Sequence, residues 1–148
     1  MILLDTNVLI RMTRSSDPKS GLMRTNLHRL LVRKEQLVIV PQNLYEFWTV
    51  VTRGVGAAPL GQNGLSMTTA QAGQWLKFFR RRFTLLPDRA ELSELWQTLV
   101  EAHAVKGFQS HYVRLVAAMQ SYGITRLLTL NPVHFRRLPI TVLDPETV

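Results

Sequence analysis

The sequence predicts an α/β fold, specifically a three-layer α/β/α sandwich built on a mainly parallel five-stranded sheet. Short apolar runs of strand length alternate with longer segments whose apolar residues recur at helical spacing. Parallel neighbouring strands need a crossover, and a helical crossover covers one face of the sheet. The chain has 148 residues, a usual length for one compact domain, so we expect residues 1–148 to form a single domain.

Five apolar runs predict the strands of this sheet. The first run stops at Asp5 and the second is closed by Pro41, so both have clear ends. An Asn131-Pro132 turn separates the last two. The predicted strands cover residues 2–4, 37–40, 83–86, 126–129 and 140–143.

The segments between these strands predict amphipathic helices. Asp5-Thr6-Asn7 is suited to cap the first helix, and Asp88 with Glu91 has capping-box spacing before a later one. The stretch from Gly54 to Gly64 holds four glycines without an apolar period and predicts a loop. The apolar faces of the longer helices are Met23, Leu27, Leu30 and Leu31; Leu44, Phe47, Trp48 and Val51; Ala72, Trp75, Leu76 and Phe79; Leu92, Leu95, Trp96 and Leu99; and Leu115, Val116 and Met119.

The composition favours a polyanionic partner. The chain carries 18 basic and 10 acidic residues for a net charge of +8, and 14 of the basic residues are arginine, which binds phosphate through a planar fork. Nucleic acid is the leading partner class, and a solvated basic surface or an acidic protein partner is the alternative. A DNA-binding protein is disfavoured because neither helix-turn-helix nor zinc-finger spacing is present. With no cysteine and no apolar run of membrane-spanning length, we expect a cytoplasmic protein without membrane contact.

The ends of the predicted strands indicate where a ligand would bind. In open parallel sheets, ligands bind outside the carboxyl ends of the strands. Asp5, the segment after Val40 and Asn131 follow such ends. Asp5 alone is more simply explained as a helix cap, and a lone Glu46 on the following helix is usually solvated. Considered together, the two carboxylates would face one crevice if the strands ending at Leu4 and Val40 are neighbours, and such oxygens suit Mg²⁺ or Mn²⁺.

Four stretches of the sequence resemble PIN-domain ribonucleases, specifically VapC-type toxins of type II toxin–antitoxin systems. Leu-Leu-Asp-Thr-Asn-Val-Leu at 3–9 resembles the opening motif of that family, and Pro-Gln-Asn-Leu-Tyr-Glu-Phe at 41–47 is similar to its second acidic motif. Arg-Leu-Val-Ala-Ala-Met at 114–119 resembles the third motif, and residues 123–131 resemble the fourth-strand motif. The four stretches occur in order, at family spacing, over nearly the whole chain.

This resemblance implies a PIN-like fold and a metal-dependent endoribonuclease. Carboxylates would hold Mg²⁺ or Mn²⁺, which would activate a water molecule for attack on a phosphodiester. Asp5 and Glu46 take the first two acidic positions as catalytic and metal-binding residues, and Asn131 takes the fourth as a catalytic residue. The expected substrate-binding residues are Thr6, Asn7, Arg114 and Thr129.

The third acidic position departs from the family pattern, because Tyr112 stands where the motif has aspartate. A neutral phenol is a poor ligand for Mg²⁺, so metal binding is expected to weaken. The chain is then a degenerate nuclease, a slow nuclease with fewer ligands, or a variant altered to remove toxicity. A catalytically inert module that binds RNA or antitoxin is the alternative function. Tyr112 is also expected to extend the buried face of its helix, with the hydroxyl at the crevice, and His111 and His134 are expected to be surface residues near the site.

The resemblance also implies partners. RNA, in single-stranded or looped form, is the expected substrate. Such toxins form homodimers and are inhibited by a cognate antitoxin that covers the acidic crevice. The helix with Trp48, or the stretch 75–79, would supply an apolar surface for a partner, although the core is the more ordinary place for most of these side chains.

Overall fold

The structure is a computed structural model that describes residues 1–56 and 64–148. Residues 57–63 of the predicted loop between Gly54 and Gly64 lie outside the described residues.

The strands lie close to their predicted positions, within a residue or so at each end. The structure has β1 (Ile2–Leu4), β2 (Leu37–Ile39), β3 (Thr84–Leu85), β4 (Arg126–Leu128) and β5 (Thr141–Leu143). The helices of the described residues are α1 (Thr6–Thr13), α2 (Pro18–Val32), α3 (Pro41–Thr52), α4 (Thr69–Arg82), α5 (Leu92–Ala102) and α6 (Gln109–Ser121), and a 3₁₀ turn spans Pro132–Phe135. None of these helices is both long enough and apolar enough to cross a membrane.

The five strands form one sheet in the order β3-β2-β1-β4-β5, and every neighbouring pair is parallel. The strand β1 is central, with Leu3 opposite Val38 of β2 on one side and opposite Leu127 of β4 on the other. The chain therefore adds β2 and β3 on one side of β1 and then crosses to add β4 and β5 on the other. This reversal leaves a crevice at the carboxyl ends of β1 and β4, where ligands bind in sheets of this kind.

Two apolar cores lie on opposite faces of the sheet and confirm the three-layer sandwich. Successive strand residues point to opposite faces. Ile2 and Leu4 belong to a core shared with residues of α1, α2, α3 and α4. Leu3, between them, belongs to the other core, together with residues of α5 and α6. The side chains of Ile2, Leu3 and Leu4 are all fully buried. The sequence of β1 is a continuous apolar run because neither face of the strand meets solvent.

Local hydrogen bonds explain where some of the helices begin. Pro41 occupies the first position of α3, and the side chain of Asn43 accepts a 2.8 Å hydrogen bond from the backbone N–H of Val40. At the start of α4, the Thr68 hydroxyl accepts from the Gln71 N–H, and the Gln71 side chain accepts from the Thr68 N–H. These exchanges satisfy N–H groups that have no partner within the helix.

The expected capping box at Asp88 and Glu91 is wrong. The helix α5 begins at Leu92, and Glu91 precedes it with a helical backbone and no capping hydrogen bond from its side chain. Asp88 instead forms an ion pair with Arg114, at 2.7 Å between Oδ2 and Nη2. A charged partner from another helix thus takes the carboxylate that local spacing assigned to the cap.

Candidate functional site

A crevice of about 620 Å³ opens at the carboxyl ends of the central strands. Its walls come from the start of α1, from α3, from the start of α6 and from the segment after β4. Asp5, Glu46, Tyr112, Arg114 and Asn131 all line it. Residues far apart in the sequence meet here because β1, β2 and β4 are parallel neighbours.

Asp5 lies at the base of this crevice. The residue is buried, with 5% of its surface exposed. Its backbone N–H donates to the carbonyl of Leu128, which fixes it beside the end of β4. Its Oδ2 accepts hydrogen bonds from the Thr129 hydroxyl at 2.5 Å and from the Asn7 amide at 2.8 Å. Asp5 occupies the position before α1, but its side chain makes no capping hydrogen bond to that helix, so its carboxylate faces the crevice network.

Glu46 approaches the crevice from α3. Its Oε2 accepts a 2.6 Å hydrogen bond from the Thr6 hydroxyl, and its Oε1 accepts a 2.7 Å bond from the Gln42 amide. Gln42 precedes Glu46 by one helical turn, so both side chains lie on the same face of α3. The Glu46 carboxylate is therefore held by one donor from α1 and one from its own helix.

Burial and the charge of Glu46 both act on the Asp5 carboxyl group. Burial raises the pKa of Asp5, and the charge of Glu46 raises it further, while the hydrogen bond from Thr129 and the backbone amides of Thr6 and Asn7 lower it. The net direction is upward because desolvation of the charged form outweighs the hydrogen bonds that stabilise it. A cation bound beside these carboxylates would favour the charged form of Asp5.

The predicted substrate-binding residues Thr6, Asn7 and Thr129 contact the carboxylates directly. Thr6 bonds Glu46, and Asn7 bonds both Asp5 and, at 3.0 Å, the hydroxyl of Thr129. The side-chain oxygen of Asn7, Oδ1, also accepts from the Leu130 N–H, which joins α1 to the segment after β4. These polar side chains form one network that fixes the orientation of both acids.

Asn131 lines the mouth of the crevice and is exposed. Its backbone N–H donates to the Thr129 hydroxyl at 3.0 Å. No hydrogen bond holds its side-chain amide within the described residues. The amide is therefore free to meet a molecule that enters the crevice.

Tyr112 packs among aromatic rings at the edge of the crevice. Its ring stacks on His134 with centroids 4.4 Å apart and an interplanar angle of 7°, and it meets Phe135 and Phe108 edge to face. Burial raises the pKa of the Tyr112 hydroxyl, and the charges of Asp5 and Glu46 raise it further. As expected, the ring extends the apolar face of α6 while the side chain still reaches the crevice. The phenol therefore stays neutral beside the two acids.

Arg114 is held on the side of α6 that faces away from Tyr112. Its Nη1 donates to the Gln42 side-chain carbonyl at 2.9 Å, and its Nη2 pairs with Asp88. Gln42 also donates to the backbone carbonyl of His111 and to Glu46, so this one side chain links α3 and α6. Sequence reasoning did not single out Gln42, because its spacing from Glu46 is visible in the sequence but its contacts with α6 are not.

The donor set can be tested against the expected divalent cation. No group of three His, Asp or Glu side chains suited to a metal ion occurs in residues 1–56 and 64–148. The crevice offers two carboxylates, the neutral side-chain oxygen of Asn131, and room for water. Mg²⁺ is commonly bound through one or two carboxylates together with substrate phosphate and several waters. The residues present therefore fit a cation that a substrate phosphate helps to hold.

The architecture matches solved structures of toxin–antitoxin systems. A chain of VapBC2 from Rickettsia felis, crystallised with a DNA fragment from its promoter, is 18% identical with a TM-score of 0.66 over 97% of this chain and 98% of that one. VapC20 of Mycobacterium tuberculosis, a sarcin-ricin loop cleaving toxin, is 18% identical with a TM-score of 0.56 over 86% and 87%. VapBC-1 from nontypeable Haemophilus influenzae is 17% identical with a TM-score of 0.65 over 98% of both chains.

The chain has the predicted PIN-like α/β/α fold. At identities of 17–18% the similarity is one of architecture, and it extends over nearly the whole length of each chain. No protein-family model and no curated protein matches the sequence. Within this PIN fold, the residues that the four motifs single out lie around one crevice: Asp5, Thr6, Asn7, Glu46, Tyr112, Arg114 and Asn131 line it, and Thr129 bonds Asp5 beneath it.

Proposed function

We propose that this chain is a VapC-like toxin, a cytoplasmic endoribonuclease that depends on Mg²⁺ or Mn²⁺. The observation that carries the proposal is the convergence of Asp5 and Glu46, which are 41 positions apart, on one crevice where the charge of Glu46 raises the pKa of Asp5. A net charge of +8 on the chain suits an RNA substrate. VapC20, which shares the fold, is a sarcin-ricin loop cleaving toxin, and this similarity supports RNA as the substrate class.

In this proposal, Asp5 and Glu46 hold the cation. When bound, the cation would lower the pKa of a water molecule and neutralise charge on the phosphate. The hydroxyl of Thr129 and the amide of Asn7 keep the Asp5 carboxylate in one orientation, and Thr6 does the same for Glu46. Because these donors are already in place, no reorganisation is needed when the substrate arrives.

Two further side chains act on the substrate. The free amide of Asn131 at the crevice mouth is placed to donate to a phosphate oxygen or to orient water. The guanidinium of Arg114 lines the same crevice and supplies positive charge to the RNA backbone, while Gln42 and Asp88 fix its position.

A nuclease assay tests the proposal. The purified chain is incubated with labelled structured RNA and Mn²⁺, with and without a chelator. We expect cleavage that the chelator abolishes and that Asp5→Asn or Glu46→Gln lowers by about 100-fold or more, since each removes a charge that holds the cation. Glu94→Gln, which removes an exposed carboxylate on α5, is the matched control and leaves the rate unchanged. Cleavage that persists in chelator would contradict the proposal.

A catalytically inert module is the second candidate, and Tyr112 is the observation that favours it. The ring stands at the third acidic position and carries no charge there. Tyr112→Asp separates the two functions. If metal binding and cleavage arise only in Tyr112→Asp, the natural chain is the inert form that binds RNA or antitoxin; if the natural chain cleaves, the nuclease proposal holds.

We also propose a cognate antitoxin and a homodimer as partners. The similar structures include VapBC complexes and a toxin–antitoxin complex from Klebsiella pneumoniae. Among the side chains considered for a partner surface, Phe79 is fully buried, and Trp75 and Leu76 are partly buried against the core. Trp48 and Phe78 remain partly exposed on α3 and α4. These two side chains are the proposed contacts for a partner, and light scattering of the purified chain tests the dimer.

A further inference from the structure

A second cleft, of about 560 Å³, lies between the α5–α6 connection and the residues that follow β4. Cationic and imidazole side chains gather around it: His103, Lys106, His134, Arg136 and Arg137. No acidic side chain of the described residues lines it. We call it the basic cleft.

The charges of the basic cleft are unpaired. Within the described part of the chain, the side chains of Lys106, Arg136 and Arg137 form no ion pair and no hydrogen bond. Arg11, Arg114 and Arg126, in contrast, are each paired with a carboxylate within 3.1 Å. The three unpaired cations therefore concentrate positive potential where an anion can enter, and clefts focus such potential.

The basic cleft adjoins the acidic crevice across the start of α6. Gln109 and Val113 line the cleft, while Phe108 and Tyr112 line the crevice. The His134 ring lines the cleft and stacks on Tyr112. Phe108 is 65% exposed and contacts Tyr112 with centroids 5.9 Å apart. The rings of Phe108, Tyr112 and His134 thus run in contact from the crevice to the cleft. Unstacked bases of single-stranded RNA pack on exposed rings such as that of Phe108.

We propose that the basic cleft binds the phosphate backbone of a single-stranded RNA, on the strand that flanks the phosphodiester held in the acidic crevice. This inference rests on the proposed function, because that function assigns the phosphodiester to the acidic crevice. RNA binding in the basic cleft itself does not require cleavage. An acidic protein segment would match the charges alone. The exposed Phe108 ring favours RNA, because it lines the crevice next to Gln109 of the cleft and offers a surface for a base near both phosphate sites.

RNA binding in the Asp5→Asn background, where cleavage does not interfere, tests the inference. Affinity for a short labelled single-stranded RNA is measured by fluorescence anisotropy over a range of salt concentrations. We expect Arg136→Ala with Arg137→Ala to weaken binding about tenfold at low salt and to reduce the slope of log K against log salt by about 1.4, as the loss of two phosphate contacts predicts. Arg136→Lys with Arg137→Lys keeps both charges and should keep most of the slope.

Arg80→Ala with Arg81→Ala is the matched control, since it removes two exposed arginines at the end of α4. An equal loss in this control, or no loss in the Arg136 and Arg137 variant, would overturn the inference. The inference would also be overturned if an acidic peptide competes with RNA for the chain while the Arg136 and Arg137 variant keeps its full affinity for RNA. If the natural chain cleaves no RNA but the Arg136 and Arg137 variant shows the reduced slope of log K against log salt, the proposed function is wrong. RNA binding by the basic cleft is then still supported.

Discussion

At the scale of the residue, Asp5 is the buried carboxylate of the site. Its carboxylate is buried at the end of β1, and both burial and Glu46 raise its pKa. The Thr129 hydroxyl and the Asn7 amide recover part of the lost hydration. A carboxyl group whose pKa is raised by burial and by a neighbouring charge in a crevice is typical of a functional site.

Asp5→Asn should stabilise the metal-free protein at neutral pH. Because the folded-state pKa of Asp5 is raised, the unfolded chain loses this proton first as the pH increases, so stability falls between the unfolded and folded pKa values and stays reduced above them. The asparagine variant carries no such penalty. We expect its Tm in chelator to exceed that of the natural chain at neutral pH, by about 2–4 °C for each kcal/mol relieved. Thermal unfolding followed by circular dichroism measures this difference.

The same comparison at acidic pH is the control. Below the unfolded carboxyl pKa of about 3.9, Asp5 is protonated in both states and the advantage of the variant should disappear. Glu94→Gln, on an exposed carboxylate, should show no difference at either pH. An Asp5→Asn protein less stable than the natural chain at neutral pH would mean that the ionised carboxylate stabilises the fold.

The positions of the two acids could be predicted from the sequence, but their neighbours could not. Asp5 directly follows the first apolar run, and Glu46 lies on the helix that follows the second apolar run. Parallel pairing of these two runs brings both residues to the same edge of the sheet. Gln42 was missed because its contacts come from α6, which is distant in the sequence. The stacking of Tyr112 on His134 likewise depends on how α6 packs against the 3₁₀ turn.

At the scale of the element, Asn43 joins the start of α3 to the central strand. Its side-chain carbonyl accepts from the Val40 N–H, and its amide donates to the Leu4 carbonyl and to the Thr6 hydroxyl. The residue is fully buried. These bonds fix the position of α3, and with it Glu46, relative to the end of β1.

Asn43→Ala should therefore destabilise the protein by about 2–3 kcal/mol, because it leaves a buried N–H and a buried carbonyl without partners. Denaturant unfolding measures the change. Asn131→Ala, which truncates an exposed asparagine, is the control and should change stability by less than about 0.5 kcal/mol. A similar small effect for Asn43→Ala would show that the α3 start is held by other contacts.

Strands were predictable as elements, while one helix start was not. Each strand is a short apolar run buried on the sheet, and this pattern is local to the sequence. The start of α5 was mispredicted because the spacing of Asp88 and Glu91 allows a capping box but does not require one. The ion pair with Arg114 is a tertiary contact, and local spacing contains no information about it.

At the scale of the whole molecule, helices cover both faces of the sheet, so adjacent residues of β1 contribute about equally to the stability of the fold. Leu3 packs in one core and Leu4 in the other, and both are fully buried. We expect Leu3→Ala and Leu4→Ala each to cost about 3–5 kcal/mol, from lost transfer energy and residual cavity. Leu22→Ala, at an exposed leucine, is the control. A small cost for either buried leucine, measured by denaturant unfolding, would contradict two separate cores.

The whole architecture also explains why the site lies where it does. The chain reverses direction across the sheet at β1, and the resulting crevice collects the ends of β1 and β4 together with α3 and α6. Arg53 and Arg114 line this crevice together with the two carboxylates. The fold thereby places two carboxylates in a protein surface suited to a polyanion.

The most direct test of the account is the amount of Mn²⁺ that the purified chain binds, measured from the electron paramagnetic resonance signal of free Mn²⁺ during a titration. We predict one saturable site in the natural chain, with affinity at least about tenfold weaker in Asp5→Asn and in Glu46→Gln and unchanged in Glu94→Gln. Binding that is absent from the natural chain, or equal in all four proteins, would contradict a cation site between Asp5 and Glu46.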